Sequence, residues 1–136
     1  MGKALITLDT SGLFTLLNRK DEDHERVRAA FIQDKGPYLV PAGILAEISY
    51  MIERRLGEKV LEAFVADLEA RRFVLECGED DFGRIRELIG RYADLSLGFA
   101  DASVISCAER NGGKVLTLDL RHFGVVAKEG NISVLP

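Results

Sequence analysis

Short apolar runs alternate along the chain with longer stretches in which apolar residues recur every three or four positions. The short runs predict strands over 3–8, 38–40, 73–75, 115–118 and 132–135. The longer stretches predict helices over 11–17, 22–33, 43–56, 58–70, 80–92 and 98–111. Val27, Ala30 and Phe31 mark one apolar face, as do Val60, Leu61, Phe64, Val65 and Leu68, and then Phe82, Ile85, Leu88 and Ile89. Punctuation agrees with these bounds. Asp21 or Asp23 suits a helix cap, Gly36-Pro37 breaks the second helix, and Gly57 and Gly112-Gly113 stop two others. The strand runs show no in/out alternation, which is expected when helices cover both faces of a parallel sheet. The expected architecture is a three-layer α/β/α domain with a central parallel sheet of four to five strands, a single domain over residues 1–136.

Four carboxylates break this pattern. Asp9 directly follows the first strand and Asp119 the fourth, in the matching segments "ITLD" and "LTLD". If both strands are central and parallel, both acids leave the same edge of the sheet, where ligands of open α/β sheets bind. Each also suits a turn or a cap, Asp9 for the helix that starts near Ser11. Glu47 has Ile44, Ile48 and Met51 as its helical neighbours, which places it on the apolar face, opposite Glu53, Arg54 and Arg55. Asp101 shares a stripe with Leu97, Val104, Ile105 and Ala108, although a first-turn acid also suits the helix dipole.

Few lysines or arginines occupy comparable inward positions. Carboxylates about 4 Å apart repel by roughly 4 kcal/mol per pair at an effective dielectric near 20. A divalent cation relieves that repulsion, and an all-oxygen donor set favours Mg²⁺ or Mn²⁺ over zinc. Such sites bind phosphate oxygens, so phosphoryl or phosphodiester chemistry follows.

At this point the sequence resembles PIN-domain nucleases of the VapC toxin type. The resemblance is carried by "ITLDTSGLFTLL", "VPAGILAEISYMIERRLG" and "LSLGFADASVISCAERNGGKVLTLDLRHFG", in that order over nearly the whole chain. It implies a metal-dependent endoribonuclease whose four acids fall on Asp9, Glu47, Asp101 and Asp119. Ser11 and Thr117 take the places of the supporting hydroxyls. Asp9 and Asp101 are then the direct ligands of Mg²⁺ or Mn²⁺, with Glu47 and Asp119 acting through water or completing a second site. The resemblance further implies an RNA substrate, a homodimer, and a small antitoxin that inserts a basic side chain toward the acids. An RNA-processing or quality-control role, or a non-catalytic PIN-like interaction module, is the alternative.

Composition narrows the picture further. Acidic residues outnumber basic ones, 22 to 18, for a net charge of −4, which argues against a broad positive nucleic-acid surface. No apolar run is long enough for a membrane span, so a cytoplasmic protein is expected. Cys77 and Cys107 are not in metal-type spacing and are expected as reduced, buried thiols. Asp94 and Arg121 are candidates for substrate contact or support of the site. His24 reads as solvated surface, His122 as local packing beside Phe123 ahead of a substrate contact, and Tyr50 and Met51 as packing residues. Asp80 and Asp81 read as helix-start acids. A phospho-acceptor domain is disfavoured: "LDTSG" lacks a second acid after the first strand, and "NISVLP" lacks a lysine.

Overall fold

The computed structural model describes residues 5–33 and 36–136. Five strands, β1 (Ile6–Leu8), β2 (Tyr38–Pro41), β3 (Phe73–Glu76), β4 (Lys114–Leu116) and β5 (Ser133–Leu135), form one sheet. The first expected strand began at Lys3, and Lys3 and Ala4 lie outside the described residues. Seven helices flank the sheet: α1 (Thr10–Leu17), α2 (His24–Ile32), α3 (Ala42–Arg55), α4 (Glu58–Glu69), α5 (Phe82–Arg91), α6 (Phe99–Arg110) and α7 (Leu120–Val126). Two 3-10 turns, Ala93–Leu95 and Ala127–Glu129, complete the described elements. The three-layer α/β/α expectation therefore holds.

The strand order is β3-β2-β1-β4-β5, and every pairing is parallel. The chain moves outward from β1 to β3, then returns to the other side of β1 with β4. The gap between β1 and β4 is thus the point where strand order reverses, the usual location of a ligand crevice. Ile6, Leu8, Val115 and Leu116 are fully buried, consistent with strands covered on both faces.

The register carries the ends of β1 and β4 into one place. Leu8 pairs with Leu116, and the Asp9 amide continues the ladder by donating to the Leu116 carbonyl at 3.1 Å. α1 then starts directly over the end of β4. A Cβ on Gly12 would lie 2.3 Å from the Leu116 carbonyl oxygen, so only glycine allows this approach. α6 is tied to α5 near its C-terminal end. Arg84 of α5 donates to Glu109 at 2.8 and 2.7 Å and to Glu129 at 2.9 Å, while Arg110 donates to Asp81 at 2.6 and 2.9 Å.

Several expectations need correction. α7 was not foreseen, because seven residues containing Gly124 are too few to show a helical period. The fourth strand was expected over 115–118 but ends at Leu116, although the Thr117 amide still donates to the Leu135 carbonyl at 2.9 Å. Val65, Phe82 and Ile89 are exposed, so the apolar faces of α4 and α5 are narrower than their spacing implied. Tyr50 is exposed under Arg54, whose guanidinium lies 5.9 Å from the ring centre. His24 is buried with Nδ1 2.9 Å from the Thr15 carbonyl. Cys77 is exposed, while Cys107 is buried; both are free thiols. Asp81 does stand at the start of α5, but it is buried and held by Arg110 rather than solvated.

Because the atom opposite Gly12 is backbone, it cannot rotate away from an added methyl. Gly12→Ala is expected to lower stability by about 1–3 kcal/mol, read from the midpoint of a urea titration.

Candidate active site

Asp9 is 5% exposed, a low value for a carboxylate. It stands at the N-cap of α1, yet its side chain does not cap the helix. The carboxylate turns across the sheet, and its Oδ2 accepts from the Thr117 hydroxyl at 2.7 Å and the Ser11 hydroxyl at 3.0 Å. Both hydroxyl oxygens also accept a backbone amide. Leu118 donates to Ser11 at 3.0 Å, and Asp119 donates to Thr117 at 2.9 Å. Two hydroxyls from opposite ends of the chain therefore fix one acid and shape the turn that presents the next.

That next acid, Asp119, does cap its helix. Its Oδ1 accepts the His122 amide at 3.2 Å, while its Oδ2 meets His122 Nδ1 at 2.7 Å. The other ring nitrogen, Nε2, lies 2.8 Å from the Leu95 carbonyl. Asp101, in the first turn of α6, has its Oδ2 3.7 Å from His122 Nδ1 and a side chain 24% exposed. Ligand-type atoms of Asp101, Asp119 and His122 all fall within 4.8 Å of one another.

Glu47 departs from expectation. It is exposed rather than inward on the apolar face of α3, and Thr10 Oγ1 donates to its Oε1 at 2.7 Å. The bond to the start of α1 still brings it toward Asp9, and its negative charge is felt at Asp101.

The electrostatics are those of crowded acids. Burial pushes the Asp101 carboxyl up to about 6, and the charges of Asp9, Asp119 and Glu47 push in the same direction against the opposing pull of His122. Burial likewise raises Asp9, against the Thr117 and Ser11 hydrogen bonds that favour its charged form. The Asp119 hydrogen bond raises His122 above its ordinary value. Among the described residues, no lysine or arginine forms an ion pair with Asp9, Glu47, Asp101 or Asp119; His122 is the ion-pair partner of Asp101 and Asp119. A set of carboxylate oxygens without cationic side chains fits a hard divalent cation such as Mg²⁺ or Mn²⁺.

Asp94 is exposed on the Ala93–Leu95 turn, and Arg121 is exposed on α7. Neither is among the hydrogen-bond partners of Asp9, Glu47 or Asp119. Arg55 lies over the Phe14 ring at 5.7 Å, and Arg72 pairs with Asp67 at 2.9 Å, so neither faces the acids.

A PIN-domain family model matches residues 6–129, spanning all four acids and both supporting hydroxyls. The chain is a PIN domain. It is 27% identical over 133 residues to Ribonuclease VapC26 of Mycobacterium tuberculosis, covering 95% of this chain and 98% of that protein. Its fold matches the crystal structure of M. tuberculosis VapC20, described as a Sarcin-Ricin loop cleaving toxin, with a TM-score of 0.78. The identity there is 21%, over 96% of this chain and 99% of that one. FitAcB from Neisseria gonorrhoeae matches with a TM-score of 0.64 at 20% identity, over 97% of each chain.

Within this PIN domain, sequence reasoning missed two contributors. Thr10 was passed over although it flanks Asp9. His122 was assigned to packing, although Asp119 and His122 stand three apart at a helix start, the spacing at which a cap residue and a side chain in the first turn meet. That spacing was the available signal.

The raised Asp101 fixes the sign of a stability effect. With a folded value near 6 against an ordinary 3.8, its contribution is present below pH 4 and is lost as pH rises through 6. Asp101→Asn is therefore expected to be more stable than the wild type at pH 7.5 in EDTA. The gain is roughly 2 kcal/mol, the shift of about two units discounted for partial exposure. The gap should close below pH 4, as read by urea melts at both pH values.

Proposed function

We propose that this PIN domain is a metal-dependent endoribonuclease that hydrolyses RNA phosphodiester bonds as the toxin of a toxin–antitoxin pair. The observation that carries this reading is the convergence of Asp9, Asp101, Asp119 and Glu47 at the β1/β4 switch point without lysine or arginine to neutralise them. The likeness to a protein named a ribonuclease, and to one described as a Sarcin-Ricin loop cleaving toxin, supports the choice of substrate and role.

Asp9 and Asp101 would hold Mg²⁺ or Mn²⁺, with Glu47 and Asp119 completing the donor set. A bound ion of this kind supplies an acidified water and offsets negative charge on phosphate oxygens. The protein's own part is to fix the acids before substrate arrives. Ser11 and Thr117 lock Asp9, and α7 locks Asp119. Arg121 and Asp94, exposed on the neighbouring α7 and 3-10 turn, are candidates for contact with the RNA strand.

The proposed partners are an RNA, a second copy of the chain, and a small antitoxin that presents a basic side chain to the acids. Cationic insertion is the protein equivalent of the metal's charge compensation, and it would stop cleavage by occupying the same place. The proposed site of action is the cytoplasm; no described helix is long and apolar enough to cross a membrane.

Cleavage of a mixed RNA substrate is expected in Mn²⁺ or Mg²⁺ and not in EDTA. Asp101→Asn should lower the rate by about two orders of magnitude or more while keeping the fold by circular dichroism. Undiminished cleavage in EDTA, or by the Asn variant, contradicts the mechanism. Because Asp101 must lose its proton to bind a cation, Mn²⁺ affinity should fall as pH drops below about 6, measured by calorimetry across that range.

A further inference from the structure

His122 occupies a position that packing alone does not explain. Its ring is 18% exposed and lies between two elements that come from different parts of the chain. On one edge Nδ1 is 2.7 Å from Asp119 Oδ2; on the other Nε2 is 2.8 Å from the Leu95 carbonyl. The ring thus bridges an acid of the site and a backbone carbonyl. Both ring nitrogens are engaged by oxygen atoms, and the ring lies close to Asp101 and Asp119.

The same residue meets both oxygens of Asp119. Its backbone amide is on Oδ1 at 3.2 Å and its ring is on Oδ2. A carboxylate held at both oxygens by one residue cannot rotate about its last bond without breaking both contacts. The Leu95 contact fixes the ring in turn, against the 3-10 turn that separates α5 from α6. Asp119 is thus oriented by His122, and His122 by a turn next to the N-terminus of the helix that bears Asp101.

We propose that His122 is a positioning residue: it holds the Asp119 carboxylate in the orientation needed to complete the cation site and ties that acid to the Ala93–Leu95 turn. The assignment rests on the metal-dependent nuclease reading. Partners that orient ligating groups commonly change metal affinity by about 10–100-fold when removed.

The two edges of the ring can be tested separately. In H122N the amide nitrogen reaches the place of Nδ1 but not of Nε2; in H122Q it reaches the place of Nε2 but not of Nδ1. Direct Mn²⁺ binding to the purified full chain, by electron paramagnetic resonance, is measured beside RNA cleavage over a range of Mn²⁺ concentrations. H122A is expected to bind Mn²⁺ about 10–100-fold more weakly, with kcat at saturating Mn²⁺ within a few-fold of wild type. H122N should recover most of the affinity and H122Q should not, while H122Q should keep more of the melting temperature in EDTA. The H122N/H122Q contrast decides the matter even if H122A fails to fold. Wild-type Mn²⁺ affinity in H122A or H122Q overturns the proposal. So does loss of all Mn²⁺ binding in a folded H122N, which would make the ring a ligand. A wild-type protein that neither binds Mn²⁺ nor cleaves RNA overturns the nuclease reading, and this assignment with it; one that does both isolates the result to His122.

Discussion

Mutual repulsion among carboxylates at the β1/β4 switch point is the constraint that the rest of the architecture answers. Left to itself, a group of acids would turn toward solvent or take up protons. The fold holds two of them with neutral donors. Thr117 and Ser11 hold Asp9, and Thr10 holds Glu47. Hydroxyls fix the geometry while adding no positive charge, so the negative field of these acids is left in place. Had an arginine been used instead, the acids would be stable and inert.

The positive groups are placed elsewhere. Arg84 gathers Glu87, Glu109 and Glu129, and Arg110 gathers Asp81 and Glu76. These networks join α5 to α6 and to the last 3-10 turn, behind the acids. Tyr92 also donates to Glu129. Ion pairs that would cancel activity at the sheet edge here serve to brace the helix that carries Asp101. Within this chain, position determines whether the same chemical pair is scaffold or poison.

How much of this was legible in the amino-acid sequence depended on range. The three-layer fold could be read because unalternating apolar runs and helical spacing are local patterns. Asp9 and Asp119 could be read because strand ends are local too, and the parallel order put them on one edge. Ser11 and Thr117 came from the family resemblance, and the hydrogen bonds around Asp9 give both a structural part. Glu47 was placed on the right helix but with the wrong surroundings, since periodicity names a face and not what covers it. His122 was missed because its role depends on Leu95, 27 residues away in sequence, through a backbone carbonyl that no residue type advertises. α7 escaped for want of length. Long-range contacts made by ordinary residues are the ones a single sequence conceals.

The hydrogen bond between Thr117 and Asp9 spans 108 residues. β4, Asp119 and His122 all belong to the final fifth of the chain. A ribosome making this protein therefore carries a nascent chain with its first acid in place and no partner for it. Domains tend to fold as units during synthesis, and here the unit closes only when the late strand slides in beside β1. Until then the chain has the parts of a nuclease without the assembled centre, and any product cut short before β4 lacks it for good. The order of strands thus makes the centre one of the last parts of the fold that can be completed.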